Sequence, residues 1–579
     1  MNEQTMFYIV FFAAALLLLA VQAVLSARRQ REQLVRRIRE QWGKRPEREY
    51  SLEEFDKISH YYERKRGEEF FLDDTTWNDL GMDEVFMLLN TTGSAVGEEY
   101  LYRVLRTPEF SRDELSRRSA LAEYFRANQK SREEFSVALG LMGRKKRTAV
   151  SDYIEKLTQI PSMPLWPHAL APVLLIAGIA SFVIRPSVGI IGLVGAIVIN
   201  MVFYYKTKSD IVMYRKSMAQ AADLVEYGFR LEKLSMEGAV LAPYKEAIFD
   251  CCRVLSPVRR HAWILADESM TTGSVMKAVL DYFCMITHLD LLLFRNMTEL
   301  LADKEEVLER LLEIMGQLEL GLVIGSFRDY LGTFCEPEFA DDLGSSMAVL
   351  GKRRTGRGEL SFKELYHPLI EHAVANSMTV EKPVLVTGSN ASGKSTFLKT
   401  VGIAAVLAQT IDTVPAKQFH SSFFRVYSSM ALSDNLEGGE SYYMVEIRSL
   451  KRILDAVEEP GVPVLCFIDE VLRGTNTVER IAASSKILES MAQKRVLPFA
   501  ATHDIELTRL LDGRYANWHF EEQMEENDIF FSYELKKGPA GTRNAIRLLG
   551  IMGYDRELIR QASQMAEWFV ETGEWRLES

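Results

Sequence analysis

Three observations predict an α/β P-loop domain at the C-terminus of this 579-residue chain, behind an all-α region interrupted by a transmembrane hairpin and preceded by an N-terminal transmembrane helix. The first is Gly388–Ser395, GSNASGKS, which follows the apolar run Val384-Leu385-Val386 and precedes the apolar helical stretch Thr396–Gln409. A glycine-rich turn between strand and helix aims successive backbone N–H groups at phosphates, so the three pieces stand in the order that a phosphate-binding loop requires. The second is the apolar run Val464–Ile468, which ends in Asp469-Glu470. It has the form of a buried parallel strand with two carboxylates at its C-terminal edge, where ligands of open α/β sheets bind. The third is a pair of apolar blocks, Met6–Leu25 and Leu165–Tyr205, long enough to cross a bilayer once and twice.

Taken in chain order, residues 1–27 carry the first span. From Met6 to Leu25 the chain is apolar apart from Gln22, and 20 helical residues cover the roughly 30 Å hydrocarbon core. A cleaved signal peptide is the rival reading. It is opposed by the length of the run, the lack of Lys or Arg before it, and Leu25-Ser26-Ala27, which lacks the small residue three before a cut. Arg28, Arg29, Arg31, Arg36, Arg37 and Arg39 then place the following side in the cytoplasm and next to anionic lipid.

Residues 28–164 read as a cytoplasmic helical region, with Leu115, Ala122 and Phe125 on one face among Arg and Glu. Residues 165–205 read as the hairpin, broken at Arg185-Pro186-Ser187 and closed by Lys206 and Lys208 on the return side. The expected topology is three spans, N-out and C-in, with both large soluble parts in the cytoplasm. Arg185 on the far side dissents, and two buried core helices are the alternative. Residues 206–350 read as packed long helices, with Asp303-Lys304-Glu305-Glu306 set against Leu308, Leu311 and Leu312. The Gly-rich basic stretch Gly351–Gly358 marks a boundary, beyond which residues 351–579 alternate short apolar runs with helical segments.

Composition limits the functions open to such a chain. Its 47% hydrophobic and 26% charged residues are those of a folded protein, and a net charge of −11 excludes one that coats nucleic acid by its overall field. Contact with nucleic acid must therefore be local. Arg144–Arg147 and Lys352–Arg354 could touch phosphates, although short charge runs usually mark solvated faces. The five cysteines lack metal-ligand spacing and read as buried thiols of a reducing compartment, and the nine histidines form no HExxH pattern, so no transition metal is expected.

The motifs assign chemistry. Lys394 is placed to reach the β/γ oxygens of a nucleotide, and Ser395 to hold Mg²⁺. Asp469 would orient the Mg²⁺ shell, and Glu470 would polarise an attacking water beside the γ-phosphate. A further apolar run, Val496–Ala501, ends in Thr502-His503-Asp504, and His503 could donate to the γ-phosphate, although a lone His is more often structural.

From about residue 351 the chain resembles the ATPase domain of the MutS family, which is related to the ABC ATPases. Val386–Thr396 resembles TGPNMGGKST, Asp469-Glu470 with Arg473–Thr477 resembles DEIGRGTST, and Ala501-Thr502-His503 with Glu506-Leu507 matches ATHxxEL. Tyr366-His367-Pro368 resembles the family's RHP element, and Ser433–Glu446 resembles SDDLxxGRSTFMVEM, its counterpart of the ABC signature. Upstream, Asp74–Leu80 and Ser94–Pro108 resemble the start of the family's helical core.

The resemblance implies an ABC-like ATPase with ATP and Mg²⁺ as cofactors. It implies that Gly388, Ser389, Asn390, Ala391, Ser392, Gly393, Lys394, Ser395 and Thr396 cradle phosphates and that the neighbourhood of His367 packs on the adenine. Glu470, His503 and Lys394 then carry catalysis, with Ser395 and Asp469 on the metal. It also implies a homodimer with composite sites, each completed by Ser441 of the other chain, and binding of double-stranded or branched DNA. Mismatch-detecting members carry an N-terminal domain with a Phe-x-Glu wedge; here a span and a basic linker stand in that place, so mismatch recognition by that device is not expected. The alternatives are an ATPase that remodels a membrane-protein partner without DNA, an ABC-type transporter subunit, and a scaffold that does not hydrolyse.

Overall fold

The computed structural model describes residues 21–573 apart from 23, 24, 27, 30, 68, 144–148, 159, 161–163, 165, 182–184, 263–281, 341–355, 390, 391, 431–441, 474, 526, 527, 541–545, 547, 548, 550 and 551. The expected span at 6–25 lies almost wholly outside them, and the basic runs 144–147 and 352–354 lie entirely outside. The N-terminal region is helical and the C-terminal one is a mixed α/β sheet domain. Two compact units are formed. One gathers residues 1–67, 89–103 and 117–330, and the other 68–88, 104–116 and 331–579.

The first unit is built around the helix Glu305–Leu331, whose residues from Leu318 to Arg328 are all buried. A Cβ at Gly316 would lie 2.4 Å from the Tyr100 ring, so glycine is what lets that ring seat on the helix. Arg328 is fully buried, and its guanidinium donates to Glu123 at 2.7 Å and to Ser119 Oγ at 2.8 Å. Glu319, on the same helix, accepts from the backbone N–H of Ser94 at 3.0 Å and from the Gly93 N–H and Ser94 hydroxyl. Those donors lead into the helix Ala95–Arg106, so the carboxylate satisfies N–H groups that a helix start leaves without intrahelical partners.

Glu99 plays the same part for the helix Val150–Thr158, accepting from Val150 N at 2.6 Å and Ser151 N at 3.3 Å. Burial pushes the Glu99 carboxyl up to about 7, against the lowering effect of those hydrogen bonds. Its folded value lies above its unfolded one. The stability it contributes is therefore complete below about pH 4.5 and is lost as pH rises through about 7, a change on the order of 3 kcal/mol. Thermal melting of the wild type should weaken between pH 5 and 8 by more than that of Glu99→Gln, which keeps an acceptor and does not ionise; parallel curves would refute this.

The expected hairpin is corrected in part. Its second half lies in the helix Pro186–Glu232, 47 residues long, within which Gly189–Val212 is the one stretch among the described residues long and apolar enough to cross a membrane. Its first half forms only the 15-residue helix Trp166–Ala180, about 22 Å at 1.5 Å per residue. Just past its end the Ser181 hydroxyl donates to the Gly178 carbonyl at 2.6 Å. Three spans are thus not supported. Asn200 turns inward and donates to the Ala171 carbonyl at 3.0 Å, tying the two helices together.

The second unit holds two sheets. The larger runs β10-β9-β4-β8-β7-β6, with β4 (Val384–Thr387), β6 (Arg425–Ser429), β7 (Val464–Asp469), β8 (Val496–Thr502) and β9 (Ala516–Glu525) parallel and β10 (Asp528–Lys537) antiparallel to β9. Strands β4, β7 and β8 are buried at every position, as continuous apolar runs require. The smaller runs β1-β5-β2-β3, from Glu338–Phe339, Gln418–Ser421, Leu360–Leu365 and Asn376–Val380. On one side of the large sheet, Ile453, Leu488 and Met491 pack with Cys466, Ile468 and Val496.

Residues far upstream complete this unit. The helix Asp74–Leu80 lies along β6: Asp79 accepts from the Ser428 hydroxyl at 2.6 Å and from Met430 N at 2.9 Å, and Thr76 Oγ1 accepts from Ser428 N at 3.2 Å. Leu80 packs so closely on Gly402 that a Cβ there would lie 2.6 Å from its methyl. Arg112 pairs with the buried Asp412, whose residue ends the helix Lys394–Ile411 in a left-handed turn.

Candidate functional site

The site is built where β4, β7 and β8 end on the same edge of the large sheet. From β4 the chain turns at Gly388 (φ +146°) and Gly393 (φ +103°) into the helix Lys394–Ile411. A Cβ at Gly388 would lie 2.7 Å from Ser392 Oγ and 3.0 Å from the Phe520 carbonyl, so the loop closes only because that position is glycine. Ser392 Oγ donates to the Ser389 carbonyl at 2.8 Å, while Ser389 Oγ is buried without a hydrogen-bond partner among the described residues.

Lys394 folds back over this loop, and its Nζ donates to the carbonyls of Gly388 and Ser389, both at 2.7 Å. Burial pulls its ammonium down to about 8, against the opposing charges of Asp469 and Glu470. Ser395, in the first helical turn, donates its hydroxyl to Asp469 Oδ2 at 2.5 Å. Thr396 follows on that turn with its carbonyl accepting from Thr400 Oγ1 at 2.7 Å. Strand β7 thus delivers its last carboxylate to the start of the helix.

Glu470, one residue on, sits at φ +61° and keeps the ladder going through its N–H to the Ala501 carbonyl at 2.9 Å. One carboxylate oxygen meets His503 Nε2 and the other meets Arg473 Nε at 2.7 Å. Burial pushes the Glu470 carboxyl up, but the His503 hydrogen bond and the charges of His503, Arg473 and Lys394 outweigh it and hold the group below the usual carboxylate range. Nδ1 of His503 lies 3.2 Å from the Gly388 carbonyl and 3.4 Å from Lys394 Nζ, so the end of β8 closes over the loop.

Gly388, Ser389, Ser392, Gly393, Lys394, Ser395, Asp469, Glu470 and His503 are therefore brought together. Asn390, Ala391, Gly474 and Ser441 lie outside the described residues. His367 is buried; its Nδ1 accepts from Leu369 N at 3.3 Å, within its own turn. Burial, reinforced by Lys399, pulls its imidazole down to about 4, so it is neutral near pH 7.

Three residues without an assigned role also shape the site. Tyr533 sits at φ +51° inside a register shift of β10, and its ring lies 3.1 Å from where a Gly393 Cβ would be. Asn376 on β3 pins that bulge, accepting from Leu535 N at 2.8 Å and donating to the Tyr533 carbonyl at 3.1 Å. Arg473 reaches back to the Asp469 carbonyl at 2.9 Å as well as to Glu470. The Asp-Glu run could have pointed to Arg473, whereas no local pattern announces Tyr533 or Asn376.

The family model described as MutS domain V matches residues 384–569, from the start of β4 into the helix Arg556–Thr572. The C-terminal part of this chain belongs to the MutS family. The chain is 28% identical over 291 residues to the DNA mismatch repair protein MutS of Thermus aquaticus, covering 49% of this chain and 33% of that protein. It is 32% identical over 217 residues to the DNA mismatch repair protein MutS of Thermus thermophilus, covering 37% and 26%. It is 33% identical over 186 residues to the DNA mismatch repair protein MutS 2 of Haloarcula marismortui, covering 31% and 19%. The chain spans about a third or less of the length of these curated relatives. The MutS match contains every site residue above except His367 and Asn376.

Proposed function

We propose that this MutS-family chain is an ATP hydrolase, held at a membrane by its long apolar helix and working as a homodimer on DNA. The observation that supports it most is the hydrogen bond from Ser395 to Asp469, with Lys394, Glu470 and His503 gathered around it. The residues fit a nucleotide: a glycine-closed loop at a helix N-terminus, a buried lysine, and a buried Ser389 hydroxyl without a hydrogen-bond partner among the described residues. A hydroxyl and a carboxylate are hard oxygen donors suited to Mg²⁺.

Residues 388–396 would hold the triphosphate and Ser395 with Asp469 the metal, which when bound neutralises charge developing on the phosphate oxygens. Tyr533, whose ring lies beside Gly393, offers a flat ring to the base. Glu470 polarises the attacking water, and His503 donates to the γ-phosphate. The two side chains contact each other through Glu470 Oε1 and His503 Nε2, which keeps both at the loop.

Membrane attachment is supported by the outward aliphatic side chains Ile176, Ile191, Val194, Val198 and Val202, and by the exposed Arg28, Arg29, Arg31 and Arg37, each worth about 1 kcal/mol near anionic lipid. DNA enters through the relatives, which are DNA mismatch repair proteins. The test is ATP turnover by the full chain in detergent micelles, with homoduplex, mismatched and branched DNA at two salt concentrations. Mg²⁺-dependent turnover stimulated by at least one DNA, with the stimulation falling at higher salt, is expected. Turnover indifferent to every DNA would remove DNA and leave a membrane-protein partner; no turnover would remove the hydrolase itself.

A further inference from the structure

We infer that Glu446 is a positioning residue for Glu470, acting through the backbone of Leu472 and Arg473; the inference rests on the hydrolase reading above. Glu446 lies on the helix Tyr442–Glu458 and is buried. One of its carboxylate oxygens accepts the N–H of Leu472 and, at 3.2 Å, the N–H of Arg473.

The backbone it holds is strained. Glu470 and Leu472 both sit in the left-handed region, at φ +61° and +62°, and neither is glycine. Such residues persist only where their surroundings over-determine them, and they cluster at functional sites. The DEIGRGTST pattern has glycine where this chain has Leu472, so here a side chain must be kept where glycine would sit without strain. The Leu472 side chain itself is buried in the core beside Val471.

Three anchors hold the turn. The Ala501 carbonyl takes the Glu470 N–H at 2.9 Å, the Ser484 hydroxyl donates to the Val471 carbonyl at 3.1 Å, and Glu446 takes the next two N–H groups. Among these, only the Glu446 carboxylate holds two donors at once. From the anchored turn, Arg473 reaches back to Glu470 Oε2 at 2.7 Å. Withdrawing Glu446 lets Leu472 leave φ +62° and carries Arg473 and the Glu470 carboxylate off their line.

The test compares Glu446→Ala and Glu446→Gln in the full chain, reading kcat, KM and the stoichiometry of binding of a non-hydrolysable ATP analogue. Gln keeps an oxygen that can accept both N–H groups. Expected are a fall in kcat of at least about tenfold for the Ala variant, with KM and binding stoichiometry within about threefold, and recovery to within about threefold of wild type for Gln; a tenfold change is about 1.4 kcal/mol of barrier. Should the Ala variant fail to fold, Glu446→Asp withdraws the carboxylate by one methylene and is expected to show the same split. A kcat within about twofold of wild type for Ala or Asp, or a fall in kcat matched by lost binding stoichiometry, would overturn the inference while wild-type turnover leaves the hydrolase reading standing. Absence of turnover in the wild type would overturn both.

Discussion

Glu470→Gln is expected to lower ATP turnover by about 10²- to 10³-fold while leaving nucleotide affinity within a few fold. The side chain fills the same space, so the loop, Lys394 and the Ser395–Asp469 contact have no reason to move. What is lost is the ability to draw a proton from water. General-base catalysis supplies about 10² to 10⁴, and the lower end applies here, because a carboxylate held below its usual range is fully ionised at neutral pH but is a weak base. Its contribution therefore lies mostly in placement and negative charge. Phosphate release measured at saturating ATP, beside a binding titration of the same preparation, checks the split. Unchanged turnover would take the catalytic role away from Glu470.

Asp79→Ala is expected to be the most damaging substitution outside the site. Asp79 is 2% exposed and receives the Ser428 hydroxyl and the Met430 N–H, so alanine leaves two buried donors without an acceptor. At about 1 to 3 kcal/mol for each such group, a loss of about 2 to 6 kcal/mol follows. Asp79→Asn keeps one acceptor oxygen and should lose less. Hydrogen exchange at the β6 amides reads the effect locally, which matters because a chain of several cooperative units has no single unfolding free energy. Protection of β6 unaltered by alanine would show that the Asp74–Leu80 helix adds little there.

These two residues also mark what a reader of the sequence can and cannot see. The order of apolar run, glycine-rich loop and helix at 384–409 depends on neighbours in the chain, and so do the carboxylates at the end of Val464–Ile468; both are visible because turn chemistry and strand burial act over a few residues. Leu115, Ala122 and Phe125 are buried as their spacing predicts. Asp79 is different. Its acceptor role depends on Ser428, and nothing around either residue announces the other. Glu446 and Tyr533 are hidden for the same reason, since each is defined by a backbone that arrives from another part of the sheet. The apolar block at 165–205 shows the opposite failure: composition counts residues that could cross a bilayer, but it does not see that the first helix stops at Ala180.

The pairing of Asp79 with Ser428 has a consequence for how the protein is made. The two are 349 positions apart. At about 5 to 20 residues per second, the Asp74–Leu80 helix leaves the ribosome about 20 to 70 s before the strand that receives it. During that interval Thr76 and Asp79, both buried in the finished fold, are without the β6 groups they bond. Nascent chains of this protein therefore hold the Asp74–Leu80 helix without its β6 partner for most of their synthesis.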